Sequence, residues 1–150
     1  MKLTSKDYFF VSVQAILFIV YVFDFFPKLK IPVHISYAGI LFAAVGILIA
    51  VSAVLKLDRN LTPFPTPKDG TQLITSGWYR FSRHPIYTGI MLFVFGYALF
   101  RMSVFKLLVS VCLLILFWFK TNYEEHQLRK KFPEYNDYQK RTGRFFPKIK

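Results

Sequence analysis

The sequence predicts an all-α integral membrane protein with about four transmembrane helices, the third and fourth forming a tight hairpin. Three observations predict it. The apolar residues, 54% of the chain, fall into discrete charge-poor runs rather than into an amphipathic pattern. The basic residues are divided unequally between the segments that separate those runs. The polar material is concentrated in one long loop and in the C-terminal tail.

The runs can be taken in order. Residues 8–26 are interrupted only by Ser12, Gln14 and Asp24. A basic start precedes them, but no small-x-small cleavage site follows, so a retained helix is expected rather than a removed leader. Residues 33–55 carry no charge, and Gly39, Ala43, Gly46 and Ala50 recur at spacings that let a neighbouring helix approach closely. Residues 86–100 and 104–119 are separated by "RMS". These two are short for a bilayer, which asks for roughly 20 apolar residues, so interfacial side chains must complete them.

With four crossings, residues 1–7, 56–85 and 120–150 share one side. They hold two, five and nine of the 20 Lys and Arg, against Lys28, Lys30, Arg101 and Lys106 on the other. The positive-inside rule then places both termini in the cytoplasm, as in a multi-pass protein of a cell inner membrane. The net charge of +12 flanks apolar spans instead of forming a basic module, which argues against nucleic acid as a partner and for a membrane surface. A lone cysteine, Cys112, excludes a disulfide framework, and His34, His84 and His126 are too scattered to suggest a metal site.

The loop 56–85 contains Pro63, Pro65, Pro67 and Gly70, which forbid a regular helix. Its apolar residues Leu61, Phe64, Leu73, Ile74 and Trp78 suggest an ordered path packed on the helix ends. It closes with "SGWYRFSRHPIYTG" (76–89). Pro85 suits the first position of a helix, where no backbone donor is needed. His84 then falls at the cap, where free N–H groups favour an anionic or polar ligand. Tyr87 follows on the same side, and Gly89 permits close approach of a helix or ligand. The same residues would also serve as an interfacial anchor. In the tail, "FWFKTNYEEHQLRKKF" has no breaker before Pro133, so the last helix is expected to continue past the membrane and to carry Glu124 and Glu125 just outside it. Glu125 and Arg129 form an i, i+4 pair, and helix phase does not decide which glutamate faces inward.

Together, "QLITSGWYRFSRHPIYTG" and "EEHQLRKKFPEYNDYQKRTGRFFP" resemble the isoprenylcysteine carboxyl methyltransferase family and the related phospholipid methyltransferases, over roughly residues 60–147. The resemblance implies one membrane domain, a catalytic loop (56–85) and tail (120–150), and use of S-adenosylmethionine, with S-adenosylhomocysteine as product. Carried over residue by residue, Gln72, Leu73, Thr75, Gly77, Tyr79, His84, Tyr87, Gly89, Glu124 and Glu125 would bind the cofactor. Glu125 and Arg129 would take catalytic roles, and Arg83 would orient the substrate. The acceptor would be a carboxylate or amine of a lipid or lipid-linked molecule. Two other readings are an NADPH-dependent enzyme like the sterol reductases, disfavoured by Ile86 and the Glu pair, and a non-catalytic membrane adaptor.

Overall fold

The computed structural model describes residues 2–148. Five α-helices account for most of them: α1 (Ser5–Val22), α2 (Val33–Leu57), α3 (Pro85–Phe100), α4 (Val104–Lys131) and α5 (Tyr135–Arg141). Short 3-10 turns occupy Asp58–Asn60 and Gly77–Arg80. Among the described residues there is no strand, only isolated bridges between Lys28 and Ser103 and between Ser82 and Gly143.

Helix α1 begins three residues before the apolar run because Thr4 and Asp7 form a capping box, with the Thr4 amide and hydroxyl both donating to Asp7 Oδ2 at 2.8 Å. It ends at Val22, earlier than the expected Phe26. The reason lies in α4, where Lys106 Nζ donates to the carbonyl oxygens of Tyr21 (2.5 Å), Phe23 (3.0 Å) and Val22 (3.3 Å) and so caps the orphan acceptors of α1. Asp24 is drawn sideways to the Ser103 hydroxyl at 2.6 Å.

Helices α1, α2 and α4 are long and apolar enough to cross a membrane. Helix α3, with 16 residues, is shorter, about 24 Å at ~1.5 Å per residue. It is held along its length by α2. A Cβ on Gly39 would meet the Gly96 carbonyl oxygen at 2.5 Å, one on Gly46 the Gly89 oxygen at 2.5 Å, and the reverse distances are the same. The small-residue stripe of α2 thus meets a second glycine pair on α3, and Ser36 adds a hydroxyl bond to Phe100 O at 2.8 Å. Behind this contact, Tyr21, Met91, Val94, Val109, Leu113 and Phe117 form the core. The other faces of α1 and α2 present Ile16, Ile19, Leu41, Leu48 and Leu55 outward, the surface a lipid-facing helix requires.

Helix α4 runs 28 residues, about 42 Å. Against a hydrocarbon layer of about 30 Å its last three turns project beyond the apolar stretch 104–119. The same side receives the start of α1, where Asp7 Oδ1 accepts the Thr66 amide at 2.9 Å and Thr4 Oγ1 lies 3.0 Å from Tyr123 OH. Both described ends of the chain, the proline loop and α5 therefore share one face.

Candidate active site at the polar face

The proline loop cannot continue α2, so it folds back over the helix ends and leaves a cavity of about 320 Å³ between itself, α3, α4 and α5. That is within the range of small-molecule sites. Leu61, Phe64, Leu73 and Ile74 form its loop wall, as their apolar character suggested, whereas Trp78 remains largely outside.

His84 is the N-cap of α3 and Pro85 its first residue, so the ring is fixed where the helix starts. It is 4% exposed. Its Nε2 lies 3.1 Å from Glu125 Oε1 and its Nδ1 3.8 Å from Glu124 Oε2. Tyr87, one turn on, stacks on His84 and on Phe117 and donates its hydroxyl to Glu124 Oε2 at 3.2 Å. Two adjacent glutamates on α4 thereby flank one histidine.

Their environments differ. Glu125 is 1% exposed and is met by Arg83 Nε at 2.8 Å, Gln139 Nε2 at 2.9 Å and Arg144 Nη2 at 3.4 Å besides His84. Burial alone would raise its pKa, but the hydrogen bonds and charges of His84 and Arg83 outweigh this and hold it at about 2. Glu124 faces the cavity; burial dominates there and raises its pKa, with the charges of His84 and Lys120 opposing. The question left open by helix phase is settled geometrically: Glu124 lines the cavity and Glu125 anchors the surrounding side chains.

Arg83 is consumed by that anchor and by the carbonyls of Gln139 and Thr142, although its side chain also reaches the cavity wall. Arg129 lies further out, 4.0 Å from Glu125 Oε2 and 3.3 Å from Gln139 Oε1, away from the cavity. Gln72, Leu73, Tyr79, His84 and Tyr87 all line the cavity. Thr75 and Gly77 do not; Thr75 is exposed, and Gly77 serves a turn at φ +63°, a conformation suited to glycine. Gly89 lies against the backbone of α2, where its missing side chain admits a helix rather than a ligand.

The structure also brings in residues to which the sequence alone assigned no role. Tyr135 and Tyr138 of α5 close the cavity, and Tyr138 donates its hydroxyl to Tyr79 O at 2.6 Å. The Tyr135 hydroxyl is buried and has no hydrogen-bond partner among the described residues. Burial pushes the phenols of Tyr79, Tyr135 and Tyr138 up, so all three remain donors at neutral pH. Lys120 enters at the membrane edge, its position as the first charge after the apolar run being the available clue. Segment 142–145 completes the site from behind, its carbonyls accepting the Arg83 amide (Gly143, 2.9 Å), the His84 amide (Arg144, 3.1 Å) and the Thr88 hydroxyl (Phe145, 2.7 Å).

The sequence and the helical scaffold match known proteins. The profile of the phospholipid methyltransferase family matches residues 35–135, two thirds of the chain, and the protein belongs to that family. A probable protein-S-isoprenylcysteine O-methyltransferase of Oryza sativa subsp. indica is 31% identical over 128 residues, 83% of this chain and 67% of the relative. Protein-S-isoprenylcysteine O-methyltransferase B of Arabidopsis thaliana is 27% identical over 144 residues, 93% and 73% of the two chains. The nickel-cobalt-cadmium resistance protein NccN of Alcaligenes xylosoxydans xylosoxydans is 29% identical over 83 residues, and the match spans only 39% of its length. Among solved structures, the eukaryotic intramembrane Ras methyltransferase, isoprenylcysteine carboxyl methyltransferase, shares the fold with a TM-score of 0.72 at 24% identity, covering 99% of this chain and 55% of that one.

Proposed function

We propose that this protein transfers a methyl group from S-adenosylmethionine to a carboxylate or amine of a lipid or lipid-linked acceptor, at the cytoplasmic face of the membrane. The observation that carries this reading is Glu124: a carboxylate held by Tyr87 beside His84, within a cavity walled by apolar loop side chains. A ligand that is cationic at one end and flat and weakly polar at the other matches that lining. Glu124 would take the α-ammonium of the cofactor, Leu61, Phe64, Leu73 and Ile74 the adenine, and the unpartnered Tyr135 hydroxyl a ligand acceptor atom.

Bound there, the cofactor supplies an electrophilic methyl group on a sulfonium. The residues of the chain position and shield; methyl displacement depends chiefly on alignment of donor and acceptor. The proline loop and α5 cover part of the cavity, and the Arg83–Glu125–His84 contacts fix the start of α3 against α4. The cavity extends along α3 to Ile90, toward the membrane, which suits an acceptor arriving within the bilayer. A carboxylate acceptor needs no base. An amine must lose a proton, and His84 is the imidazole placed to accept it. The names of the plant relatives favour the carboxylate.

Calorimetric titration of the detergent-purified protein with S-adenosylhomocysteine and, in parallel, NADPH tests the reading. Saturable binding of the first ligand alone, weakened at least tenfold in Glu124→Ala and His84→Ala, is expected. Binding of NADPH alone, or of neither ligand to folded protein, overturns it.

A further inference from the structure

Lys120 stands at the boundary between the apolar part of α4 and its projecting turns, and its side chain is 1% exposed. The ammonium donates to Gln14 Oε1 at 2.6 Å and to Pro63 O at 2.9 Å, and lies 5.4 Å from the centre of the Tyr87 ring. All of these partners are neutral. Among the described residues Lys120 makes no salt bridge; Glu124, one turn further along α4, is instead engaged by Tyr87 and His84.

A buried ammonium whose direct partners are all neutral is costly, and an amide and a carbonyl could be tied together by an uncharged side chain at lower cost. The group has three N–H donors, two of them used. It also lines the same cavity as Glu124. Residues at i and i+4 share one helix face, with their Cβ atoms about 6 Å apart. The cavity wall therefore carries one group suited to an ammonium and, a turn nearer the membrane, one suited to an anion.

We infer that Lys120 is the carboxylate-binding group of this cavity. The inference rests on the cofactor reading above and deepens it. Two carboxylates could occupy the position: that of the amino-acid end of the cofactor, or that of the acceptor. Burial draws the Lys120 pKa down to about 8, with the charge of Glu124 opposing, so the group is still mainly cationic at neutral pH and gains most from an anionic neighbour.

The test compares ligands that differ only in the carboxylate. Binding of S-adenosylhomocysteine is measured against its decarboxylated analogue S-adenosyl-3-thiopropylamine, and binding of N-acetyl-S-farnesylcysteine against its carboxamide. The protein is used whole, as wild type, Lys120→Gln and Lys120→Arg. In the wild type at least one carboxylate form is expected to bind tenfold or more tightly than its carboxylate-free counterpart. In Lys120→Gln that margin collapses to about one while the carboxylate-free counterpart binds no more weakly than before, and Lys120→Arg restores part of it. Collapse in the first pair assigns the cofactor's carboxylate; collapse in the second assigns the acceptor's.

Margins that survive unchanged in folded Lys120→Gln overturn the inference but leave the cofactor reading intact. Absence of any margin in the wild type also overturns it, whether or not the variants fold. Failure of both S-adenosylhomocysteine and its analogue to bind overturns the inference together with the cofactor reading.

Discussion

Gly46 and Gly89 meet backbone to backbone, each so placed that a Cβ on one would come within 2.5 Å of the carbonyl oxygen of the other. Neither atom is the end of a flexible side chain, so a methyl group at either position must push α2 and α3 apart. Gly89→Ala is expected to lower the thermal midpoint by several degrees, consistent with the 1–3 kcal/mol usual for overpacking. Because Gly89 faces α2, the molecules that remain folded should keep their affinity for S-adenosylhomocysteine within about threefold. A tenfold loss of affinity with an unchanged midpoint would place Gly89 in the ligand site instead.

The two neighbouring glutamates should separate binding from stability. Glu124→Gln removes a charge whose burial raises its pKa, so the fold should be no less stable, while S-adenosylhomocysteine affinity drops by about 10- to 100-fold, as for loss of a charge-assisted hydrogen bond. Glu125→Gln leaves Arg83 and Arg144 facing an uncharged amide and should lower the midpoint markedly. Thermal unfolding and calorimetry on both variants check the contrast, which fails if the two behave alike.

The acid limb of stability follows from Glu125. Its folded pKa, about 2, lies below the ordinary 4.5, so its ionised form stabilises the fold fully above about pH 4.5. That contribution, about 3 kcal/mol at ~1.4 kcal/mol per pH unit, is lost as pH falls from there toward 2. The midpoint of the wild type should fall along this limb, and the fall should be shallower in Glu125→Gln. Glu124 works in the opposite sense. Its pKa is raised, so it protonates at higher pH than an ordinary glutamate and ligand affinity should decline before stability does.

At the far end of the molecule, Lys106→Met should leave the carbonyls of Tyr21, Val22 and Phe23 without their shared donor. A cost of about 1–3 kcal/mol is expected for buried acceptors left unpaired. Ligand affinity should not change, since the site lies at the opposite helix ends. Parallel melting and titration curves decide the point.

Much of this arrangement was legible because it depends on local pattern. Charge-poor runs mark the helices, Pro85 marks the start of α3, and the absence of a breaker before Pro133 marks the projection of α4. The small residues of α2 announced a close contact, but not that Gly89 and Gly96 would supply its other half, because the pairing of two helices is a non-local property. The choice between Glu124 and Glu125 turns on a rotation of one residue, finer than periodicity resolves. In the sequence Lys120 is one of nine basic residues in 120–150, and its setting emerges only when Gln14, Pro63 and Tyr87, from three other parts of the chain, are placed around it. Segment 142–145 has no periodicity at all; its register on Arg83 and His84 is set by closure of the whole polar face.

That register has a consequence for the order in which the protein is made. The amides of Arg83 and His84 find their acceptors at Gly143 and Arg144, some sixty positions later in the chain. Helices α1 to α3 can leave the ribosome and enter the bilayer while the backbone around His84 still lacks these acceptors. The newborn chain therefore passes through a stage in which α1 to α3 are in place while the amides of Arg83 and His84 await their acceptors, and only the emergence of residues 142–145 supplies them.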